Sequence, residues 1–194
     1  MEILGKILGS PARVKIMRLF LLNKSQSFAN KDVVKRSRVS ADAARKELRS
    51  LAAAGFLKKR GSGWSFEHEF KYGKEIENLL ITTDTLDNDA VLKTFKKAGK
   101  MKLLVVSGIF IKNKDSRVDI LIVGDRMRKG HIEEGIRKLE AEIGSELSYA
   151  VFDTKEFVYR INMYDKLVRD ILDFPHQVVL QGKELNLNPI SNKA

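Results

Sequence analysis

The spacing of apolar residues predicts three consecutive helices near the start of the chain. Ser10-Pro11 is a typical helix start, with a capping hydroxyl before a proline at the first helical position. Apolar residues then recur at helical spacing as far as Asn23, and a short second helix is predicted over residues 29–36. A third helix begins after Ser40 and is closed by Gly55, a residue type that commonly ends helices.

Beyond Gly55 the pattern is typical of a β-hairpin. Two short strands are predicted over residues 56–60 and 64–67, joined by the turn Gly61-Ser62-Gly63. We expect Trp64 and Phe66 to pack this hairpin against the helices rather than to stack on a ligand. A short amphipathic segment follows over residues 73–86, which we interpret as a helical linker or as a contact between two copies in a dimer.

Two apolar runs, Leu103–Ser107 and Val118–Val123, organise the rest of the chain. Each has the length and β-branched content of a buried strand. A helix over residues 87–99 precedes them, and a helix, a strand, two helices (the first capped by Thr154) and a last strand follow. These later elements are predicted over residues 131–143, 146–152, 154–161, 163–172 and 177–180. The complete pattern predicts the α+β class.

Charge is distributed unevenly between the two parts of the chain. The net charge is +11, and residues 1–70 hold 15 Lys and Arg against 6 Asp and Glu. Residues 71–194 hold 21 against 19 and are nearly neutral. A positive field confined to one part indicates a polyanionic partner, either nucleic acid or an anionic membrane.

Composition excludes several other classes of protein. The chain has no cysteine, so disulfide and thiol chemistry are excluded, and its three histidines have no metal-ligand spacing. The N-terminal apolar stretch is too short and polar for a signal peptide, and no apolar run approaches the length of a membrane span. We therefore expect a soluble, cytoplasmic protein that has no membrane partner.

The order helix, short helix, helix and hairpin resembles a known DNA-binding domain. So does the motif S-x-x-x-x-R-K-x-L-x-x-L-x-x-x-G-F-L, from Ser40 to Leu57. Over residues 8–70 both are similar to the winged helix-turn-helix of the ArsR and MarR regulators. The resemblance implies an N-terminal winged helix-turn-helix domain over residues 1–72 that binds double-stranded DNA as a homodimer.

The candidate DNA contacts are basic residues on the third helix and on the hairpin, which would be the wing. The third helix would enter the major groove, where Arg reads guanine with two hydrogen bonds. Ser40 and the helix N-terminus would bind a phosphate, and the wing would contact the backbone or the minor groove. The alternative is that these residues are ordinary solvated charges. The candidates are Ser40, Arg45, Lys46, Arg49, Lys58, Lys59 and Arg60.

The segment between and along the two apolar runs resembles a second family. Gly108-Ile109, Ser116-Arg117-Val118-Asp119 and the run from Ile120 to Gly124-Asp125 are similar to the minimal, polymerase-β-like nucleotidyltransferases. The resemblance spans about residues 85–183 and implies a small α/β domain with a short mixed sheet over residues 87–185. It also implies that Gly108 faces a nucleotide and that Asp119 is a metal ligand.

The sequence departs from that family at the positions that nucleotidyl transfer requires. Ile109 replaces the serine that helps to hold the triphosphate, and Arg117 replaces the first carboxylate of the metal pair. The third strand also offers no acid before Asp153 at its end. Nucleotidyl transfer uses two metal ions, Mg2+ needs hard oxygen ligands, and Arg cannot lose its proton to become one.

We therefore predict a residual nucleotide site without a catalytic residue. It consists of Gly108, Arg117 and Asp119, with Asp119 as the only candidate metal ligand. No cofactor is required, and Mg2+ and a nucleoside triphosphate would bind only if transferase activity survives. Arg117 either holds a phosphate or pairs with Asp115 or Asp119.

The combined prediction is a sequence-specific, DNA-binding transcriptional regulator. Its inactive nucleotidyltransferase-like domain would serve dimerisation, the sensing of a nucleotide or other ligand, or partner binding, and residues 186–194 would form a tail. One alternative is an active nucleotidyltransferase with an attached nucleic-acid-binding domain. Another is the pseudoenzyme component of a toxin–antitoxin-type pair, which would bind a protein partner.

Overall fold

The computed structural model describes residues 2–82, 87–113 and 115–185, and over these residues the fold is mixed α+β with small sheets. The chain divides into two units. Unit 1 consists of Met1–Leu86 and Arg137–Glu146, and unit 2 consists of Asp87–Ile136 and Leu147–Ala194. The predicted tail and residues 83–86 of the predicted linker lie outside the described residues.

Helices form most of unit 1, and two of them begin at serine caps. Ser10 Oγ accepts a hydrogen bond of 3.2 Å from the Arg13 amide, and Ser40 Oγ accepts one of 3.2 Å from the Ala43 amide. The predicted starts of these two helices are thereby confirmed. The helices are α1 (Glu2–Ile7), α2 (Pro11–Leu22), α3 (Asn30–Ser37), α4 (Ala41–Ala53) and α5 (Gly73–Glu77), followed by a π-helical turn over Asn78–Thr82.

The sheet of unit 1 is antiparallel and contains a strand that the sequence pattern did not predict. Its strands are β1 (Ser27–Phe28), β2 (Leu57–Arg60) and β3 (Gly63–Phe66), in the order β1-β3-β2. Strand β1 is only two residues long, too short to show an alternating pattern. The sequence pattern predicts Gly63 in the hairpin turn, but it pairs with Arg60, so the connection is the two residues Gly61-Ser62.

The core of unit 1 lies between α2, α3, α4 and the sheet. In α4 the predicted row of Ala44, Leu48 and Leu51 is buried, whereas Ala52 is only half-buried. Phe20 and Phe28 meet edge to face with ring centroids 5.6 Å apart. Because each fully buried Leu or Phe contributes about 1.5–3 kcal/mol, this row is what fixes the side of α4 that faces inward.

Residues 137–146 belong to unit 1, whereas the sequence predicts them in a second domain over residues 87–185. Buried Arg18 of α2 accounts for this grouping, since it donates from Nε to the Leu80 carbonyl (2.9 Å) and from Nη1 to the Glu142 carbonyl (3.1 Å). Burial lowers the pKa of its guanidinium, and Glu142 opposes that shift. Asn23 also donates to the Gly144 carbonyl (2.9 Å).

The backbone of Gly144 lies directly against α2. A Cβ at this position would be 2.6 Å from the Arg18 carbonyl carbon, and its φ is +93°. Glycine is therefore required both for space and for backbone conformation.

Unit 2 is built on a four-stranded mixed sheet of order β6-β5-β4-β7. Strand β4 is antiparallel to both of its neighbours, and β5 is parallel to β6. The strands are β4 (Lys100–Val106), β5 (Ile120–Asp125), β6 (Tyr149–Phe152) and β7 (Gln177–Gln181). The helices are α6 (Asn88–Thr94), α7 (Lys129–Ile143), α8 (Thr154–Asn162) and α9 (Lys166–Leu172), and a 3-10 turn spans Gly108–Phe110. Only the first part of α7 belongs to unit 2, since its residues from Arg137 onward are in unit 1.

The two apolar runs are the central strands of this sheet and are buried as predicted. Leu103 to Val106 and Ile120 to Val123 are all at most 1% exposed. Some of their side chains join a cluster with Phe152, Phe157 and Val168. These strands therefore fix the positions of Gly108 and Asp119 at one end of the β4–β5 pair.

Several predicted caps and element ends in unit 2 are wrong, and a competing cap explains one of each kind. Asp153, not Thr154, caps α8, because its carboxylate accepts a 2.8 Å hydrogen bond from the Glu156 amide. Helix α9 begins three residues later than predicted because Asp165 caps it through the Val168 amide. Helix α6 ends at Thr94 and β6 begins at Tyr149. No helix in the described part of the chain could cross a membrane.

Candidate functional site

Helix α4 presents three basic residues on its solvent face. Arg45, Lys46 and Arg49 are exposed, while Ala44 and Leu48 are buried in the core. Residues three and four positions apart lie on the same side of a helix, so the three cations form one surface. Because the opposite side of α4 is buried in the core, this basic surface faces solvent.

The N-terminus of α4 lies beside this surface. Because Ser40 Oγ accepts the hydrogen bond from the Ala43 amide, its own hydroxyl proton can still be donated to another group. Asp42 reduces the local positive charge, since its carboxylate is 3.3 Å from Arg45 Nη1. Both side chains of this ion pair are largely exposed, so the pair is weak and easily exchanged.

The hairpin places its three basic residues in different environments. Lys58 Nζ lies 2.6 Å from Glu67 Oε1, and this bond is the main reason that the pKa of the Glu67 carboxyl is lowered. Lys59 and Arg60 are exposed and form no ion pair with any residue that the structure describes. The free cations of the hairpin are therefore at its tip, whereas Lys58 is partly neutralised.

An ion pair between a buried acid and a half-buried arginine, which the sequence analysis missed, fixes α4 against α2. Glu47 is 4% exposed, and its Oε2 accepts a 2.8 Å hydrogen bond from Arg13 Nε. A signal was present in the sequence, because position 47 is three residues after Ala44 and four before Leu51, on the buried side. An acid in that row indicates a buried partner.

Trp64 has the structural role that we expected. It is half-buried against the core of unit 1, and its indole Nε1–H donates a 2.8 Å hydrogen bond to Asn30 Oδ1 at the start of α3. The residue thus ties the hairpin to the helices.

In unit 2, Gly108 and Asp119 lie together, but the carboxylate is engaged by the backbone. Asp119 Oδ1 accepts a hydrogen bond from the Ile109 amide (2.8 Å), and Oδ2 accepts one from the Ser148 amide (2.9 Å). Gly108 has φ +57°, and a Cβ there would be 2.1 Å from Asp119 Oδ1. Gly108 therefore faces Asp119, and the carboxylate joins the turn after β4 to the segment before β6.

Arg117 pairs with neither of the acids that we had proposed. Its Nε donates a 2.9 Å hydrogen bond to Asp170 Oδ2 of α9, and its side chain is 57% exposed. No group of three or more His, Asp or Glu side chains that could hold a metal occurs among the described residues. Of the three residues predicted to form the residual nucleotide site, Gly108 and Asp119 are thus in contact with each other. Arg117 is hydrogen-bonded to Asp170 of α9 instead.

A second basic surface, which the sequence analysis did not single out, lies at the opposite end of the β4–β5 pair. We call it the β4–β5 basic cleft, an open cavity of about 420 Å³ lined by Lys96, Lys97, Gly99, Lys100, Arg126 and Arg128. The signal in the sequence is a basic segment before one predicted strand, KKAGK, and another after the next strand, RMRK. Antiparallel pairing brings such flanking segments together.

Comparison with known proteins identifies no relative of this chain. No family model, no curated protein and no solved structure matches the chain. The chemistry must therefore be inferred from two exposed basic surfaces and from one carboxylate that is held by backbone amides.

Proposed function

We propose that this protein is a sequence-specific DNA-binding regulator of transcription, in which unit 1 is a winged helix-turn-helix. The observation that carries the proposal is the exposed face of α4, with Arg45, Lys46 and Arg49 on one side of a helix. In a helix-turn-helix the second helix enters the major groove with its exposed side toward the bases. Helices α3 and α4 have the order that this geometry needs.

The dimensions and chemistry of α4 suit the major groove. Its 13 residues extend over roughly 20 Å, enough to cross a groove that is about 12 Å wide. Arg45 and Arg49 would each donate two hydrogen bonds to a guanine, and Lys46 would contact a guanine or a phosphate. Base contacts of this kind give specificity, whereas phosphate contacts only position the protein.

The wing and the helix N-terminus would supply phosphate contacts. Lys59 and Arg60 at the hairpin tip are exposed, and the Ser40 hydroxyl can donate beside the first turn of α4. Lys58 would contribute less, because Glu67 already neutralises it. These contacts release counterions from DNA, so the affinity should fall steeply with salt concentration.

Unit 2 would be a nucleotidyltransferase-like domain that has no catalytic function. A metal ion at Asp119 would have to compete with two backbone amides for the carboxylate. A second carboxylate is missing where Arg117 stands, and Arg117 is directed to Asp170. We assign unit 2 a role in dimerisation, because exposed apolar side chains occur on and after α8: Tyr159 (64%), Met163 (63%) and Tyr164 (76%).

The proposal is tested by binding to labelled duplex DNA taken from upstream of the protein's own gene, with a shuffled duplex as reference. Arg45→Ala/Arg49→Ala should weaken specific binding at least about 30-fold, since each bidentate pair contributes about 1–3 kcal/mol. Lys155→Ala/Lys166→Ala, at exposed positions of α8 and α9, is the control that removes the same charge. Equal affinity of the wild type for both duplexes would contradict the proposal.

A further inference from the structure

The β4–β5 basic cleft is built on a backbone framework. The Arg128 amide donates a 2.6 Å hydrogen bond to the Ala98 carbonyl, which joins the loop after β5 to the turn before β4. Gly99 has φ +147°, and a Cβ there would lie 2.8 Å from the Arg126 carbonyl oxygen. The two basic segments therefore touch through their backbones, and their side chains surround one cavity.

Most of the positive charge of the cleft is not neutralised by the rest of the described chain. Lys96, Lys97, Lys100, Arg126 and Arg128 are all exposed, and none forms an ion pair with a described residue. Among the described residues, no acid lines the cavity.

Asp125, an acid beside the cleft, compensates only part of its positive charge. Asp125 is opposite Lys100 in the strand register. The Thr154 hydroxyl is the main reason that the pKa of the Asp125 carboxyl is lowered, with smaller contributions from Lys102 and Lys100. One carboxylate beside the cleft offsets one of its five positive charges at most.

This concentration of charge contrasts with the composition of the surrounding part of the chain, because residues 71–194 hold 21 Lys and Arg against 19 Asp and Glu. Five neighbouring cations repel one another, and an anion with several negative charges would relieve that repulsion. The cleft is therefore a distinct basic site within an almost neutral part of the chain.

The chemistry of the lining favours a nucleic-acid backbone over a free nucleotide. The cavity is open, and the described residues that line it include no aromatic side chain that could stack on a base and no carboxylate that could bind a ribose. Lysine and arginine suit phosphate oxygens, as a point charge and as a planar fork respectively. The seven residues of β4 also separate the cleft from the Gly108–Asp119 pair by roughly 20 Å.

We propose that the β4–β5 basic cleft binds the phosphodiester backbone of duplex DNA without regard to sequence. The inference rests on the proposed function, because it adds a second DNA contact to the one assigned to α4. It requires that the cleft contribute to salt dependence and to general affinity, and that it leave the choice of sequence to α4.

The test is the full-length variant Lys96→Gln/Lys97→Gln/Arg128→Gln, measured on a specific and a shuffled duplex between 50 and 200 mM salt, a range that is sensitive to phosphate contacts. Each lost phosphate contact reduces the slope of log K against log salt by about 0.9, so a decrease of roughly 2 to 3 is expected. Affinity should fall by the same factor for both duplexes. The matched control is Lys155→Gln/Lys166→Gln/Lys183→Gln, which removes three exposed lysines outside the cleft.

The outcomes separate this inference from the proposed function. A slope equal to that of the control would overturn the inference and leave the function of α4 intact. Two results together support both the proposed function and the inference. Only Arg45→Ala/Arg49→Ala should lose the preference for the specific duplex, and only the cleft variant should show a reduced salt slope. If the α4 variant keeps the wild-type preference while the cleft variant loses slope, the proposed function fails and the cleft still binds DNA. A wild type that binds no duplex overturns both.

Two further measurements on the wild-type protein do not depend on the folding of a variant. Bound duplex should protect Lys96 and Lys97 from acetylation, read by mass spectrometry, and leave Lys155 and Lys166 unprotected. If bound duplex changed the acetylation of both lysine pairs by the same factor, or of neither, the inference would be overturned. Tripolyphosphate is the competitor for a small-anion site, and protection by tripolyphosphate but not by duplex would assign the cleft to a free polyphosphate instead.

Discussion

At the scale of single residues, the role of Asp119 can be tested by changing one atom. In Asp119→Asn one carboxylate oxygen becomes an NH2 group that faces a backbone N–H, so one of the two charge-assisted hydrogen bonds is lost. We expect the free energy of unfolding to fall by about 2 kcal/mol, measured by urea denaturation with far-UV circular dichroism. The control is Asp115→Asn, whose side chain is exposed.

The same residue distinguishes a structural from a metal-binding role. If the backbone amides hold Asp119, millimolar Mg2+ should leave the denaturation midpoint of the wild type unchanged. A midpoint that rises with Mg2+ in the wild type but not in Asp119→Asn would show that the carboxylate binds metal, because a ligand stabilises the state to which it binds. That result would favour the transferase alternative.

The partly buried pair Arg13–Glu47 allows a second test at this scale. Arg13→Met leaves the Glu47 carboxylate buried without a partner, so we expect unit 1 to lose about 2 kcal/mol of stability. The double variant Arg13→Met/Glu47→Met removes the charge as well and should recover most of that loss. Trp64 is the only tryptophan of the chain, so its fluorescence reports the unfolding of unit 1. A double variant less stable than the single one would contradict this account.

At the scale of elements, Ser40 combines a helix cap with a predicted phosphate contact. Replacing a capping serine by alanine costs about 1 kcal/mol, whereas replacing it by glycine costs only a few tenths. Ser40→Ala should therefore lower the stability of unit 1 more than Ser40→Gly. Both variants remove the hydroxyl, so they should weaken DNA binding equally if the hydroxyl contacts a phosphate. If Ser40→Ala instead weakened DNA binding more than Ser40→Gly, in parallel with its greater loss of stability, Ser40 would act only as a cap.

How well the sequence predicted each element depended on how local the determining interactions are. Helices α2 and α4 were predictable because their caps and apolar rows lie within the helices themselves. Strand β1 exists only through its pairing with β3, and two residues carry no periodic signal. At the candidate sites, residues on one helix face were predictable, whereas the pair Arg117–Asp170 joins positions 53 apart in the chain. No spacing rule reports such a contact.

At the scale of the whole molecule, the proposed function predicts a dimer, since two half-sites are read by two copies of α4. Tyr159→Glu/Met163→Glu places two charges among the exposed apolar side chains of α8 and the residue after it. We expect it to convert a dimer to a monomer in light scattering. Tyr72→Glu, at an exposed tyrosine of unit 1, is the control. A double variant that remains dimeric would exclude this surface as the dimer interface.

Unit 1 is discontinuous in the chain, and this has a consequence for its synthesis. The partners of Arg18 and Asn23 at residues 142 and 144 are made about 60 residues after residue 86, a delay of several seconds at the usual rate of translation. During that interval the nascent first unit lacks these acceptors and the close contact of Gly144. We expect a chain truncated after residue 86 to unfold at a lower temperature than unit 1 of the full chain, as Trp64 fluorescence would report. A ribosome that stalls between the two segments would thus expose an incompletely stabilised first unit, which proteases would degrade more readily than the complete one.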